Sequence, residues 1–290
     1  YLAGPSAQLR RGAVLRFAIG HRSMVLFRGR DTGVVHVAPR HCEHQGVDLV
    51  HGEVIGDCLR CPLHHWDYDG CREFRAAERF GMIFVHVGGE PRNPIPGFSL
   101  DDDRLHVRSG RPVDVDCPWY AAIANAFDMT HLQTVHRRKL RSEVAITYPD
   151  AMTFAVEYST SVMGREWSDR VMRALSGDDI RVRIRVTGGT MLLVESTIGR
   201  WRSFLMTSLR PTPNGVSILP LFGVPRSRTG VHRIAARIAA ALFTAFLMRD
   251  VRPLSGIRLP HPLMDPNDPA ITACYRYLCA LPEFIDEERS

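Results

Sequence analysis

Two short segments, each holding one cysteine and one histidine, constrain this chain more than anything else in it: Cys42-Glu43-His44 and Cys61-Pro62-Leu63-His64. Each offers one soft thiolate and one imidazole, and four such donors suit two kinds of group. One is a tetrahedral zinc ion, which only staples a fold. The other is a two-iron, two-sulfur cluster in which two Cys hold one iron and two His hold the other. Zinc modules usually pair Cys with Cys, whereas each half here mixes Cys with His, which favours the cluster. Gly46 follows the first pair, and Trp66 and Gly70 follow the second. Glycine gives the turn freedom that a loop needs where backbone amides approach sulfur.

A length of 290 residues makes two domains the natural expectation. A hydrophobic content of 45% is enough for a large core. The net charge of +6 is mild, with Arg137, Arg138, Lys139 and Arg141 as its densest run. That run reads equally as a solvated face or as a docking patch for an acidic electron donor, and no nucleic-acid motif accompanies it. Cys58, Cys71, Cys117, Cys274 and Cys279 show no spacing of a secreted disulfide framework, so a reducing, cytoplasmic setting is expected. The apolar stretch Ile238 to Met248 is about half of what a bilayer span needs. No signal peptide is visible, although the chain starts at Tyr1 rather than Met.

Ala13–Ile19, Ser23–Phe27 and Val34–Ala38 read as strands, with a turn over Arg30-Asp31-Thr32-Gly33. A hairpin-like segment, Val50–Leu59, separates the two Cys/His loops, and Phe80–Val87 closes an all-β domain. The Pro-rich segment from Pro91 to Gly97 looks like its exit, with domains at 1–110 and 111–290. The second domain opens on a helix around Trp119–Gln133. Strands follow at Val144–Tyr148, Thr153–Tyr158, Ile180–Val186 and Met191–Ser196, the last two turning at Gly188-Gly189. A further pair, Ser203–Leu209 and Val216–Leu221, turns at Pro213-Asn214-Gly215. Val231–Val251 reads as one long helix with Ile234, Ile238, Leu242 and Phe246 on its apolar face. The expected class is α+β: an all-β domain, then an antiparallel sheet covered by helices in a helix-grip-like manner.

The early helix carries Asn125-Ala126-Phe127-Asp128-Met129-Thr130-His131, followed by His136. Two His with a carboxylate are the donors of a mononuclear non-haem iron centre with open positions. On an ideal helix His131 and His136 point about 140° apart. Both reach one metal only if the helix breaks or bulges between them.

Taken in order, Cys-x-His, Cys-x2-His and Asn-x2-Asp-x2-His-x4-His resemble the Rieske non-haem iron oxygenases along nearly the whole chain. The pattern is most similar to the group that includes the 3-ketosteroid 9α-hydroxylases and related demethylases and desaturases. The resemblance implies that Cys42, His44, Cys61 and His64 hold a Rieske 2Fe-2S cluster. His65 stands where the family usually has Gly. Val47 and Leu63 stand where respiratory-chain Rieske proteins carry an extra Cys pair, so the potential is expected near the low end, about −150 mV. It further implies His131, His136 and Asp250 as ligands of one Fe(II), with Asp265 and Asp268 as weaker candidates for the carboxylate. Asp128 becomes a bridge to a cluster His of a neighbouring subunit in a homotrimer, and Asn125 lies near the iron. Ala124, where ring-hydroxylating dioxygenases often carry an acidic residue or Asn, leans towards monooxygenase chemistry.

The implied activity is a terminal oxygenase. Dioxygen is its co-substrate, and electrons come from NAD(P)H through a ferredoxin or flavin reductase. The substrate is mainly apolar, to be hydroxylated, demethylated, desaturated or cyclised. Phe127, Met129, Leu132, Met163, Met191, Leu193 and Phe204 are candidates for pocket or core. The rival readings are a Rieske electron carrier with an unrelated binding domain and a zinc-stapled module.

Overall fold

The computed structural model describes residues 1–70, 74–88, 91, 94–177, 179–258 and 268–281. Cys71 and Asp265 lie outside the described residues, as do parts of the Pro91–Gly97 exit. The chain divides into two compact units, residues 1–95 with 210–213 and residues 96–209 with 214–290.

The first unit is all-β. Its strands are β1 (Leu2–Pro5), β2 (Val14–Ile19), β3 (Arg22–Arg28), β4 (Val35–Pro39), β5 (Glu53–Ile55), β6 (Cys58–Arg60), β7 (Asp67–Tyr68), β8 (Phe74–Arg79) and β9 (Met82–Val87). They form three antiparallel three-stranded sheets, β1-β9-β8, β2-β3-β4 and β5-β6-β7. Alternation along β3 places Met24 and Leu26 in one cluster with Phe17, Val37 and Ile83. Val25 and Phe27 fall in a second cluster with Leu49, Leu59, Cys42 and Cys61. The central strand thus serves two cores, and the second of them holds both Cys.

The second unit is α+β. It contains β10 (Leu105–Ser109), β11 (Val113–Val115), α1 (Trp119–Asn125), α2 (Met129–Thr134), β12 (Arg138–Leu140), β13 (Ala145–Asp150), β14 (Thr153–Val162), α3 (Trp167–Ser176), β15 (Ile180–Thr187), β16 (Met191–Ile198), β17 (Trp201–Thr212), β18 (Gly215–Pro225), α4 (His232–Leu254) and α5 (Pro269–Ala280). Among the described residues the sheet has nine strands, in the order β10-β18-β17-β16-β15-β14-β12, with β11 beside β18 and β13 beside β14. Gly188 and Gly189, both at positive φ, open the three-residue β15–β16 turn that Thr190 completes. Strand β10 pairs with β18 in this sheet, so the second unit begins before the division near residue 110 that the sequence suggested.

One end of the sheet is sealed by α1, α2 and α5. The Phe127 ring lies 4.9 Å from Phe154 at a tilt of 59°, and Phe154 stacks 5.8 Å from Tyr277. The Tyr277 hydroxyl donates to the Met152 carbonyl at 2.7 Å. The helix read over Trp119–Gln133 is two helices, because the chain leaves helical geometry at Asp128 and restarts. Asp268, buried among these helices, holds the restart in place. Its Oδ2 accepts from the backbone N–H of Met129 at 2.9 Å and Thr130 at 3.2 Å, and its Oδ1 from Ala270 at 3.2 Å and Ile271 at 3.3 Å. One carboxylate therefore caps two helices, which is not the metal-ligand role the sequence offered it. The Asp268→Ala variant should lose about 1–4 kcal/mol, the sum of two helix caps. A shift of that size in the urea midpoint checks this; an unchanged midpoint contradicts it.

Candidate metal centres

The two Cys/His loops share one backbone frame. In the first, the N–H of Gly46 donates to the Cys42 carbonyl at 2.7 Å and that of Cys42 to the Val47 carbonyl at 2.8 Å. In the second, His65 donates to the Cys61 carbonyl at 3.2 Å and Cys61 to the Trp66 carbonyl at 2.8 Å. Each tight turn needs a left-handed residue at its fifth position: Gly46 has φ 69° and His65 has φ 59°. An Arg-Asp pair closes each loop at its base. Arg40 reaches Asp48 at 3.0 Å, and Arg60 grips Asp67 through two 2.8 Å bonds.

The frame buries both sulfurs and leaves both imidazoles exposed. The Cys42 and Cys61 thiols lie close enough to influence one another, and the His44 and His64 rings lie 4.6 Å apart, edge to face. Trp66 stacks on His44 at 4.8 Å. Like donors are thus paired with like, as a two-iron cluster requires and one tetrahedral ion does not. Sequence reasoning missed Tyr68, whose hydroxyl donates to Cys42 Sγ at 3.2 Å and accepts from the Glu43 N–H at 3.1 Å. The Tyr68 bond is the main cause that draws the Cys42 thiol below its ordinary pKa, against the effect of burial. The thiolate is the form that binds metal.

In the second unit His131, His136 and Asp250 converge. Among the described residues they are the group of three or more His, Cys, Asp or Glu side chains whose donor atoms lie within 4.8 Å of one another. His131 Nε2 is 3.2 Å from His136 Nε2 and 2.8 Å from Asp250 Oδ1, and His136 Nε2 is 2.7 Å from that oxygen. Helix α2 stops at Thr134, so His136 lies beyond it and turns back towards His131. The break that the spacing demanded is there. Asp128 caps α2, with its Oδ1 taking the backbone N–H of His131 at 2.7 Å.

The Phe246 ring lies flat on His136 at 3.5 Å and fixes its plane. Burial pushes the His136 pKa down, against the pull of Asp250, and so favours the neutral ring. Burial also pushes the Asp250 carboxyl up, but hydrogen bonds from His131 and His136 outweigh it and hold the group below the ordinary range. Neutral imidazole and ionised carboxylate are the forms that bind a divalent metal. The donor set and its protonation fit one ion, on a site whose remaining faces look into a cavity.

This cavity, of about 320 Å³, lies between one face of the sheet and α4. Asn125, Asp128 and Leu132 line it with the three donors. Ile234 and Ile238 are 60% and 45% exposed, because the apolar face of α4 walls a cavity rather than filling a core. Met191, Leu193 and Phe204 are buried outside this lining, as are Phe127 and Met129, and Met163 is exposed. Strand alternation gives the cavity face to Leu192, Val194, Ser203 and Leu205 instead. Of the basic run, Arg137, Lys139 and Arg141 are exposed, while Arg138 is buried against Asp169 at 3.6 Å. Asp169 also binds Arg249, next to Asp250, at 3.0 Å.

Comparison with known proteins follows the same division. Residues 1–83 match the Rieske [2Fe-2S] domain family. The chain is 24% identical to the cholesterol 7-desaturase nvd of Bombyx mori over 282 residues, covering 86% of this chain and 59% of that one. It is 20% identical to the oxygenase component of the 3-ketosteroid-9-alpha-monooxygenase of Rhodococcus rhodochrous over 218 residues, 64% of this chain and 52% of that one. The chain thus spans less than two thirds of the length of these curated relatives. Its structure superposes on dicamba monooxygenase bound to dicamba with a TM-score of 0.70 at 20% identity, covering 97% and 96% of the two chains. It matches Pseudomonas putida CBB5 NdmA with caffeine with a TM-score of 0.74 at 16% identity, covering 96% and 88%.

His65 holds a left-handed turn at a cost that glycine avoids. His65→Gly should raise stability by about 0.5–1 kcal/mol, read from the denaturant midpoint of the cluster-loaded protein. A lower midpoint would mean that the imidazole itself supports the loop.

Proposed function

We propose that this chain, whose N-terminal part is a Rieske domain and whose fold is that of the Rieske oxygenases, is the terminal oxygenase of a multicomponent system. It oxidises a mainly apolar small molecule with dioxygen, as a monooxygenase rather than a dioxygenase. The observation that carries this is the meeting of His131, His136 and Asp250 at the wall of a largely hydrocarbon-lined cavity, in one chain with the paired Cys and His loops. A Rieske carrier with an unrelated second domain finds no support in a second unit that superposes on a monooxygenase.

In this reading Cys42 and Cys61 hold one iron of the cluster and His44 and His64 the other. The exposed imidazoles are where electrons pass in and out. His131, His136 and Asp250 hold a mononuclear iron, which when bound supplies the activation of dioxygen. The residues around it do the rest. Phe246 keeps the His136 plane fixed, Asp250 stays ionised, and the aliphatic walls exclude water from the reacting face. Asn125 stands beside the metal. Electrons come from NADH or NADPH by way of a ferredoxin or flavin reductase in the cytoplasm, with exposed Arg137, Lys139 and Arg141 as a docking face. No described helix is long and apolar enough to cross a membrane.

Asp128 carries electrons between chains of a head-to-tail homotrimer, from a neighbour's cluster to this iron. Asp128→Asn keeps an oxygen for the His131 N–H and removes the charge. It should leave both centres loaded and the cluster reducible, yet slow single-turnover product formation at least about tenfold. Normal turnover in that variant sinks the bridging role. The Tyr68 hydroxyl stabilises the reduced, more negative cluster. Tyr68→Phe should lower its potential by about 20–60 mV, the equivalent of one net hydrogen bond. Protein-film voltammetry measures this, and an unmoved potential would exclude the bond from redox tuning.

A further inference from the structure

Two of the three metal-site donors have an arginine close by in sequence, and the two arginines meet. Arg138 stands two residues after His136, and Arg249 one residue before Asp250. Both turn to Asp169 on α3. Arg138 Nη2 lies 3.6 Å from Asp169 Oδ1. Arg249 grips the same carboxylate with both prongs, Nη1 to Oδ1 at 3.3 Å and Nη2 to Oδ2 at 3.0 Å. Asp169 is 1% exposed and Arg138 is 7% exposed. One buried carboxylate thus ties the chain just beyond His136 to the helix that carries Asp250. Across that tie His136 Nε2 lies 2.7 Å from Asp250 Oδ1.

Asp169 is itself held by its own helix. It stands at the third position of α3, where its Oδ2 accepts the Glu166 N–H at 3.2 Å and its own N–H donates to the Glu166 side chain. Gly164 passes so close that a Cβ there would collide with the Asp169 carboxylate. Arg173, also on α3, holds that loop by donating to the Gly164 carbonyl at 2.6 Å. Arg249 Nη2 donates further to Glu166 Oε2 at 2.8 Å and Ser168 Oγ at 3.1 Å. The first turn of α3 therefore grips the end of α4.

Stability alone does not account for this arrangement. Apolar side chains of similar volume often stabilise a core as well as a buried ion network does. This network is also incompletely satisfied, since Arg138 Nη1 and Arg249 Nε are buried with no partner. Among the described residues Arg138 has no ion-pair partner but Asp169. The link between His136 and Arg138 is strained as well. Arg137 has φ 52°, a left-handed value that side chains avoid, and its carbonyl is pinned by the Met163 N–H at 2.8 Å. What the network does fix is how two segments far apart in sequence bring His136 and Asp250 together.

We propose that Asp169 is a positioning residue of the mononuclear centre: through Arg138 and Arg249 it sets the approach of His136 to Asp250, and so the affinity and geometry of the metal ion they hold. This rests on reading His131, His136 and Asp250 as an iron site, and it is tested by iron binding rather than by turnover. The whole cluster-loaded chain, freed of mononuclear iron, is titrated anaerobically with ferrous iron against a competing chelator.

Asp169→Asn keeps the shape of the side chain and should weaken binding about 10–100-fold, the usual loss when a group that orients metal ligands is removed. Arg249→Lys keeps the charge but not the two-pronged grip, and should weaken binding about tenfold. The double variant should bind no more weakly than Asp169→Asn alone, because both changes release one clamp. About two cluster irons and two sulfides should stay in every variant. The ferrous-nitrosyl EPR spectrum, recorded with the cluster oxidised, should change shape in each, which lower stability alone would not cause. Unchanged affinity and spectrum in either single variant overturn the proposal, as do losses that add in the double variant. If Asp169→Asn does not fold, Arg249→Lys decides by the same two readouts. If the unmodified protein binds ferrous iron no more tightly than His131→Ala/His136→Ala does, the iron site itself fails and the proposal falls with it.

Discussion

The end of α2 between His131 and His136 is the constraint on which the second unit depends. A continuous helix would point these rings about 140° apart, and no side chain on α4 could then complete a three-donor set. The helix is instead only six residues long and is held at its start by two carboxylates. Asp268 takes the N–H groups of Met129 and Thr130, and Asp128 takes that of His131. So short a helix has little stability of its own. Its orientation is borrowed from α5, which the same Asp268 caps. Packing at Phe127, Phe154 and Tyr277 then fixes the group against the sheet.

In the first unit the equivalent constraint is duplication. Two loops with the same hydrogen-bond frame and the same Arg-Asp closure present their Cys inward and their His outward. The exposed pairs contribute little each, so the frame and the burial of the sulfurs carry most of the order. The asymmetry lies in the fifth position, where Gly46 is relaxed and His65 is strained. An imidazole has been kept where glycine would be easier, beside the solvent-facing edge of the loops.

Much of this was legible in the sequence because it is local. The mixed Cys/His pairs, the x4 spacing of His131 and His136, and the Gly188-Gly189 hairpin each carry their reason within a few residues. Other parts had no such signal. Met191-Leu192-Leu193-Val194 is apolar on both faces, so no alternation reveals that Leu192 and Val194 face the cavity. The apolar stripe of α4 read as core because a cavity wall and a core look alike in one dimension. Helix α3 does carry a helical period, with Trp167, Val171, Met172 and Leu175 at i, i+4, i+5 and i+8, but it is only ten residues long and lies between two strands, where it went unread. Asp268 and Met129 are 139 positions apart, and the Tyr68–Cys42 bond likewise joins two segments whose meeting no spacing rule predicts.

The central claim is that one chain carries two separate iron centres, and iron and acid-labile sulfide per chain test it most directly. Anaerobically prepared protein should hold about three irons and two sulfides with a brown chromophore. A His131→Ala/His136→Ala variant should fall to about two irons and two sulfides with an unchanged visible spectrum. Two irons and two sulfides in the unaltered protein, even after ferrous iron is added, would contradict the account, as would a colourless protein containing zinc.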